Sequence, residues 1–228
     1  MENKKKIWVR VLSAIQVLIV CALLTVVYYV YHDVTTTQQI TQFSEEIPVA
    51  SEEELENFSH DVYDGDYSQL ENPFENISMT LDEMKEQLQS TKKVGHIEIP
   101  KINVSEQLFL SASKAALLAG VGVMKGTDYP SHVKGSSSVI AGHRGLVFTH
   151  KMFVDLDQLS PGDEIIVRKK EETLVYKVNN IKTVDADEVD QIPQDKTKSL
   201  LTLVTCTPKM IYSHRLLVFA ELDRVVLN

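Results

Sequence analysis

The sequence predicts a mainly β fold, a closed or nearly closed barrel with short helices, preceded by one transmembrane helix. Three observations indicate this class. Seven or eight short apolar runs separated by turn residues follow Val94, residues 11–31 carry no charge, and an acid-rich stretch lies between them. The chain of 228 residues is long enough for one folded domain with appendages.

Composition excludes several classes of protein. Two cysteines in the whole chain rule out a disulfide scaffold and a Cys-rich zinc module. The net charge of -9 argues against nucleic acid as a partner, because phosphate binding requires clustered Lys and Arg.

The N-terminus carries the features of a membrane anchor. Residues 1–10 form a basic tail with three Lys, one Arg and one Glu, and residues 11–31 form an uncharged run of 21 residues. About 20 helical residues cross the hydrocarbon layer. The positive-inside rule places the basic tail in the cytoplasm and the rest of the chain outside the cell membrane. A cleaved signal peptide is the alternative, but this run is longer and ends in Tyr-Tyr-Val-Tyr instead of small residues.

Residues 32–93 are predicted to be an acidic stalk. This stretch is rich in Asp and Glu and poor in large aliphatic side chains, so it is flexible or lies over another part of the protein. Thr80 and Glu83 fit a capping box, which predicts a short helix over about 81–89.

The barrel is predicted to occupy residues 94–228. Short helices are expected over 112–119 and 151–158, and Ser160-Pro-Gly-Asp163 is a typical turn. The predicted strands cover residues 94–99, 102–110, 137–142, 164–169, 173–184, 200–206 and 215–224.

Cys206 is the candidate nucleophile. It ends an apolar run and precedes Thr207-Pro208, which cannot continue a central strand. Cys21 lies in the membrane segment, so Cys206 is the one external thiol; the alternative is an inert buried cysteine. Arg215 opens the next apolar run, and if the two runs pair antiparallel, its guanidinium can stabilise a thiolate or an oxyanion beside Cys206.

His143 is the best candidate for the proton-transfer partner, because it follows the run SSSVIAG at a predicted strand end. His214 adjoins Arg215 but would point to the other face of a strand. No metal-ligand spacing occurs among the histidines, and no metal or other cofactor is predicted. The other histidines are assigned to the stalk, to loops or to structural positions: His32, His60, His96, His132 and His150.

These motifs resemble those of the sortase family. Thr202-Leu-Val-Thr-Cys206 followed by Thr-Pro is similar to its T-L-x-T-C strand, and Arg215 matches its downstream arginine. The stretch SVIAGHRGL, followed by FVDLDQL and Pro-Gly-Asp163, resembles the histidine region of the family. The H-R-G-L and T-C-T-P segments are closest to class C, the pilin-polymerising sortases. The resemblance covers roughly residues 94–225.

The resemblance implies an eight-stranded sortase barrel and cysteine transpeptidation at a Gram-positive cell surface. Cys206 would attack the Thr–Gly bond of an LPXTG-like sorting signal and hold the substrate as a thioester. His143 would protonate the leaving amine and deprotonate the incoming one, and Arg215 would stabilise the oxyanion. In class C the acceptor is a lysine amine of the next pilin. A housekeeping-type sortase would instead use an amine of the cell-wall precursor.

Class C sortases usually carry a lid with an Asp-Pro-aromatic motif before the barrel. Here the corresponding residues are Asn72, Pro73 and Phe74, called the lid segment below. Phe74 is predicted to cover Cys206, with the acidic surroundings docked near Arg144 and Arg215. Asn72 cannot form an ion pair with Arg215, so closure should be weak. An ordinary turn in a linker is the alternative. The C-terminal membrane segment of many class C enzymes is absent.

Three other functions remain open at this stage. They are a housekeeping-type sortase, a hydrolytic cysteine protease, and a non-catalytic membrane-tethered barrel that serves as an adaptor. Alkylation of Cys206 separates the last from the enzymes, because an inert buried thiol would not react.

Overall fold

The computed structural model of the chain describes residues 2–59, 79–144, 152–186, 191–209 and 211–228. It is a closed barrel of eight strands in the order β1-β2-β3-β4-β7-β8-β6-β5. The strands are β1 Lys93–Ile99, β2 Val104–Phe109, β3 Val121–Val123, β4 Ser137–Ala141, β5 Glu164–Arg168, β6 Glu172–Asp185, β7 Leu200–Thr207 and β8 His214–Leu227. The helices are α1 Glu2–Glu45, α2 Glu52–Ser59, α3 Leu81–Gln89 and α4 Lys114–Ala119, with 3-10 helices at Pro100–Ile102 and Leu156–Gln158.

The predicted fold class is confirmed, and the strand prediction needs one addition. β3 spans only Val121–Val123, too short for a periodic pattern, and it joins β2 in parallel and β4 antiparallel. β3 therefore closes the gap between the N-terminal hairpin and the rest of the barrel. The helix expected over 151–158 was wrong in extent, because among the described residues of that stretch only Leu156–Gln158 are helical.

α3 shows how a local sequence signal determines a helix end. The Thr80 hydroxyl accepts a bond from the Glu83 backbone N–H at 3.3 Å, and the Glu83 carboxylate accepts from the Thr80 backbone N–H at 2.6 Å. This reciprocal capping box begins the helix at Leu81, as the spacing predicted. Met84 and Leu88, one turn apart, are its buried residues.

α1 continues past the apolar run into the segment predicted to be stalk. It is long and apolar enough to cross a membrane, with the candidate span found in Arg10–Glu45. Its last turns are docked, because Thr37, Ile40 and Ser44 are at most 2% exposed. Ile40 packs in one cluster with Leu88 of α3, Phe109 of β2 and the alanines of α4. The C-terminal turns of α1 are therefore packed against α3, α4 and the barrel.

The next part of the acidic stretch also contacts the barrel. Val49 pairs with Lys93 in a parallel bridge, and Leu55 of α2 is 1% exposed within the barrel core. The lid segment, Asn72, Pro73 and Phe74, lies outside the described residues, as do His60 and His150. Closure of the site by the lid segment stays a prediction.

β2 carries a buried carboxyl, that of Glu106. Glu106 of β2 alternates with the core residues Val104 and Leu108, and it is 7% exposed. Burial raises the pKa of Glu106 to about 7, and a hydrogen bond from the Met152 backbone N–H opposes the increase. The ionised form is therefore disfavoured in the folded protein.

We expect Glu106→Gln to change the pH dependence of stability. The folded pKa exceeds the ordinary value of 4.5, so stability from this group is present below pH 4.5 and lost as pH rises through about 7. Glu106→Gln removes this loss. The free energy of unfolding of the variant, relative to that of the parent, should therefore increase by about 2 kcal/mol between pH 5 and pH 8, since one pKa unit is worth about 1.4 kcal/mol. Urea unfolding in detergent at both pH values measures this difference.

Glu98→Gln is the matched control for this prediction. The Arg168 guanidinium lowers the pKa of Glu98, so its contribution is present at high pH and lost as pH falls. Because this loss occurs below about pH 4.5, the control should be less stable than the parent by nearly the same amount at pH 5 and at pH 8. Equal pH dependence in the parent and in Glu106→Gln would contradict the assignment of a buried neutral carboxyl.

Candidate active site

The candidate site lies where β4 and β7 end and β8 begins. β7 and β8 pair antiparallel with Cys206 directly opposite Arg215. Residues directly opposite each other have Cβ atoms about 4.5–5.5 Å apart, so the guanidinium can reach the thiol. The structure therefore brings together the two residues that the sequence separates by an eight-residue interval.

β4 carries His143 to the same place. β4 and β7 run parallel with Ala141 beside Val204, so the two residues that follow each bring His143 beside Cys206. The Gly142 backbone N–H donates to the Val204 carbonyl at 3.1 Å, and the Thr205 hydroxyl donates to the Gly142 carbonyl at 2.7 Å. These bonds extend the register beyond the last residue of β4.

The three candidate residues share one face of the sheet. Strand alternation places Cys206 with Val204, His143 with Ala141, and Arg215 with Leu217. Val204, Ala141 and Leu217 belong to a cluster that packs against Leu117 of α4, separate from the core inside the barrel. The candidate site is therefore on the outer face of the barrel, beside α4.

His214 points to the opposite face, as predicted from alternation. It has the same parity as Leu216 and Val218, which belong to the interior core. Its Nε2 lies 3.2 Å from Asp185 on β6, and its Nδ1 lies 2.7 Å from the Ser213 hydroxyl. His96 contacts Ser105 and His132 contacts Glu172, both away from Cys206. His143 is the described histidine that the strand register places beside the thiol.

Burial determines the protonation of the thiol and the imidazole. Burial raises the pKa of the Cys206 thiol, and the charges of Arg215 and Arg144 oppose that increase. Burial also lowers the pKa of His143, and the nearby ammonium of Lys114 lowers it further. At neutral pH most molecules therefore carry a neutral thiol and a neutral imidazole, and the thiolate–imidazolium pair is a minor form.

The backbone around the loop that follows β7 orients Arg215. Its Nη1 donates to the Tyr212 carbonyl at 3.2 Å and to the His214 carbonyl at 3.0 Å. The whole residue is 5% exposed. A guanidinium held by two carbonyls keeps its direction when a substrate arrives, which is the requirement for stabilising a developing oxyanion.

Arg144 is the residue whose role the sequence reasoning missed. The sequence predicts it in a groove, with Arg215, on which the lid segment docks, but its side chain is 3% exposed. Its Nη1 donates to the Thr207 hydroxyl at 2.7 Å, and its Nη2 contacts the Asp157 carboxylate at 2.8 Å. Its place directly after His143 was the available signal, but the buried direction of its side chain depends on remote segments.

No metal site accompanies these residues in the described part of the chain. Among residues 2–59, 79–144, 152–186, 191–209 and 211–228, no group of three His, Cys, Asp or Glu could hold a metal ion. The chemistry that the site supports is nucleophilic: a thiol, an imidazole and an arginine at adjacent strand ends.

Comparison with solved structures gives the same architecture. Sortase C2 from pilus island 1 of Group B Streptococcus is 29% identical with a TM-score of 0.63, over 83% of this chain and 98% of that one. Sortase C-1 from Actinomyces oris is 29% identical with a TM-score of 0.62, over 82% of this chain and 99% of that one.

Curated sequence relatives have similar identities but match a smaller share of the chain. Sortase A of Streptococcus agalactiae serotype III is 29% identical over 136 residues, which are 58% of this chain and 53% of the relative. Sortase D of Bacillus subtilis is 31% identical over 114 residues, which are 50% of this chain and 54% of the relative. The chain thus spans about half the length of the curated relatives it matches.

A family model described as the sortase domain matches residues 97–223, from β1 into β8. The match includes all three candidate site residues and covers more than half of the chain. Because this match and the similarity to solved sortases agree over the whole barrel, the chain belongs to the sortase family.

Proposed function

We propose that the chain is a membrane-anchored cysteine transpeptidase that polymerises pilins. It would cleave the Thr–Gly bond of an LPXTG-like sorting signal and join the new threonine carbonyl to a lysine amine of another pilin. The observation that carries this proposal is the register, which brings Cys206, His143 and Arg215 to one end and one face of the sheet. The neighbours named Sortase C support the pilin class.

The first half-reaction forms the acyl-enzyme. The Cys206 thiolate attacks the threonine carbonyl carbon, and the charge that develops on its oxygen is stabilised by Arg215. The His143 imidazolium donates its proton to the glycine nitrogen, so the C–N bond breaks and the amine leaves. The product is a thioester between the threonine and Cys206.

The second half-reaction reverses these roles. Neutral His143 takes a proton from the incoming lysine amine as that nitrogen attacks the thioester carbonyl. The C–S bond breaks, the thiolate is restored, and an isopeptide bond links the two subunits. The same imidazole therefore serves as acid and then as base.

The membrane helix orients this reaction. We propose that the basic tail lies in the cytoplasm and that the barrel lies at the outer cell surface. α1 runs without interruption from the candidate span to its docked end at Glu45. From Tyr31 to Glu45 the helix rises about 20 Å, so the barrel would be held close to the membrane surface.

A housekeeping-type sortase is the second candidate function. The specific observation in its favour is that curated relatives from Streptococcus agalactiae and Listeria monocytogenes are named Sortase A. It differs only in the acceptor, which would be an amine of the cell-wall precursor.

Incubating the purified full chain with a pilin that bears a sorting signal tests the proposal. The expected result is a ladder of covalent pilin multimers that resists boiling in detergent and is absent with Cys206→Ala. Transfer of the pilin only to an added cell-wall-type amine would favour the second candidate. Absence of any product with either acceptor would contradict transpeptidation.

We retain the lid segment as a separate part of the proposal. Arg144 and Arg215, proposed for its docking, are both buried, at 5% exposure. We therefore expect the lid segment to bind the barrel mainly through packing of Phe74. Phe74→Ala should therefore speed alkylation of Cys206, whereas Glu71→Gln beside it should not. Equal rates in Phe74→Ala and the parent would mean that Asn72, Pro73 and Phe74 are an ordinary linker.

A further inference from the structure

Arg144 forms a buried bridge between three segments of the site. It follows His143 directly, so it extends from the end of β4. Its Nη1 donates to the Thr207 hydroxyl at 2.7 Å and to the Cys206 carbonyl at 3.4 Å. Its Nη2 contacts the Asp157 carboxylate at 2.8 Å. One side chain thus links the His143 segment, the Cys206 strand and the turn around Leu156–Gln158.

The positive charge of this bridge is only partly neutralised. The Arg144 side chain is 3% exposed, whereas that of Asp157 is 50% exposed and therefore well screened by solvent. Arg144 Nε is buried without a hydrogen-bond partner among the described residues. A buried cation keeps a strong field in its surroundings when its counter-ion is hydrated, and here the surroundings include the thiol.

We propose that Arg144 is a positioning residue of this site, which fixes the end of β7 that carries Cys206 and supplies a second positive charge to its thiolate. This inference rests on the proposed function, because it assigns a role to Arg144 in the same reaction. Arg144 contacts the Cys206 carbonyl and the Thr207 side chain but no reacting atom. It acts through Cys206.

The charged groups around the thiol come from four elements. Arg215 faces it from β8, and Arg144 faces it from the end of β4. Lys114 of α4 acts on His143. The Lys209–Asp155 ion pair, at 3.0 Å, ties the loop after β7 to the turn that holds Asp157. Arg144 and Asp157 are therefore an opposed pair near Cys206, and their balance adds to the field that Arg215 supplies at the thiol.

Removing the positive charge of Arg144 and removing the negative charge of Asp157 should shift the midpoint pH for alkylation of Cys206 in opposite directions. Arg144→Gln removes the cation, so the midpoint pH for iodoacetamide alkylation of Cys206 should rise. Asp157→Asn removes the anion and leaves the arginine, so the midpoint should fall. The expected change in thiolate fraction at pH 7 is about threefold for Arg144→Gln, the effect of one charge at several Å in a partly hydrated site. The change should be smaller for Asp157→Asn, because that carboxylate is half exposed and screened by solvent. A merely structural role predicts no such opposite pair.

Arg224→Gln is the matched control for loss of an arginine charge. Arg224 lies on the same strand as Arg215, but it pairs with Glu164 and Asp223 beyond the site. In the Arg224→Gln variant, the midpoint pH for alkylation of Cys206 should equal that of the parent. Arg144→Lys keeps the charge but lacks the planar fork whose two nitrogens contact Thr207 and Asp157 separately. It should therefore restore most of the parental midpoint pH but less of the parental kcat.

Opposite shifts in Arg144→Gln and Asp157→Asn support the proposal, and equal or parallel midpoints overturn it. If Arg144→Gln fails to fold by circular dichroism, Asp157→Asn decides alone: a lowered midpoint supports the proposal and an unchanged one overturns it. The alkylation measurement needs no substrate. Absence of a pilin ladder with the parent protein, together with opposite midpoint shifts in the two variants, would contradict the proposed function while leaving the charge assignment intact.

Discussion

Replacing Cys206 with alanine is expected to abolish transpeptidation while leaving the fold intact. Cys206 is buried at the end of β7 but belongs to none of the three hydrophobic core clusters among the described residues, so loss of its single sulfur atom should disturb the core little. No other described side chain lies at this strand end with a nucleophilic sulfur, because the other cysteine, Cys21, is in α1. Without a thioester intermediate, turnover should fall to the background rate of the peptide bond.

Cleavage of a fluorescent sorting-signal peptide, followed by liquid chromatography, measures this loss. Cys21→Ala is the matched control, because it removes a thiol far from the strand end and should keep parental activity. Thermal melting followed by circular dichroism checks that the Cys206→Ala barrel is folded. Cleavage above background in a folded Cys206→Ala protein would exclude the covalent mechanism.

Replacing His143 with alanine should reduce kcat by about 10²–10⁴-fold, the usual contribution of general acid–base catalysis. In the parent, the reactive thiolate–imidazolium pair is a minor form, and its fraction is constant at pH values between the lowered pKa of His143 and the raised pKa of Cys206. Activity should therefore be constant between those two values and fall on either side. In His143→Ala the alkaline fall should disappear, because no imidazolium remains to lose its proton.

His214→Ala is the matched control for His143→Ala. It lies at the same end of the barrel, beside Arg215, but its ring pairs with Asp185 on the other face. It should keep kcat within a factor of two or three, the range of ordinary surface changes. A parental rate and a parental pH profile in His143→Ala would show that another group transfers the proton.

Arg215→Met should also lower kcat, by about 10²–10³-fold if it stabilises the oxyanion. Its midpoint for Cys206 alkylation should rise as well, because the guanidinium opposes the effect of burial on the thiol. Loss of kcat without a change in KM would indicate that the interaction is made in the transition state.

The sequence was most informative where the signal is local. The capping box of Thr80 and Glu83 predicted the start of α3, and Pro208 marked the end of β7. β3 was not predicted, because the three residues Val121–Val123 are too few to show an alternating pattern. Packing of the end of α1 against the barrel was not predicted, because it depends on single apolar residues, such as Ile40, in an otherwise polar stretch.

The candidate site divides in the same way. The spacing of Cys206 and Arg215 across two antiparallel strands predicted that they lie at the same end of the sheet, and the register places them directly opposite each other. The role of Arg144 could not be predicted from the sequence, because the direction of its side chain depends on contacts with Thr207 and Asp157. Thr207 lies 63 residues away along the chain, and Asp157 lies in a separate turn. The raised pKa of Glu106 likewise depends on burial inside the closed barrel, which no local pattern reveals.

The most direct test of the central claim is intact-protein mass spectrometry of the full chain after incubation with a sorting-signal peptide and no acceptor amine. The account predicts an added mass equal to the peptide up to its threonine, located on Cys206 by digestion and removed by hydroxylamine, as a thioester requires. Cleavage of the peptide with no adduct, or with an adduct on a residue other than Cys206, would contradict the account.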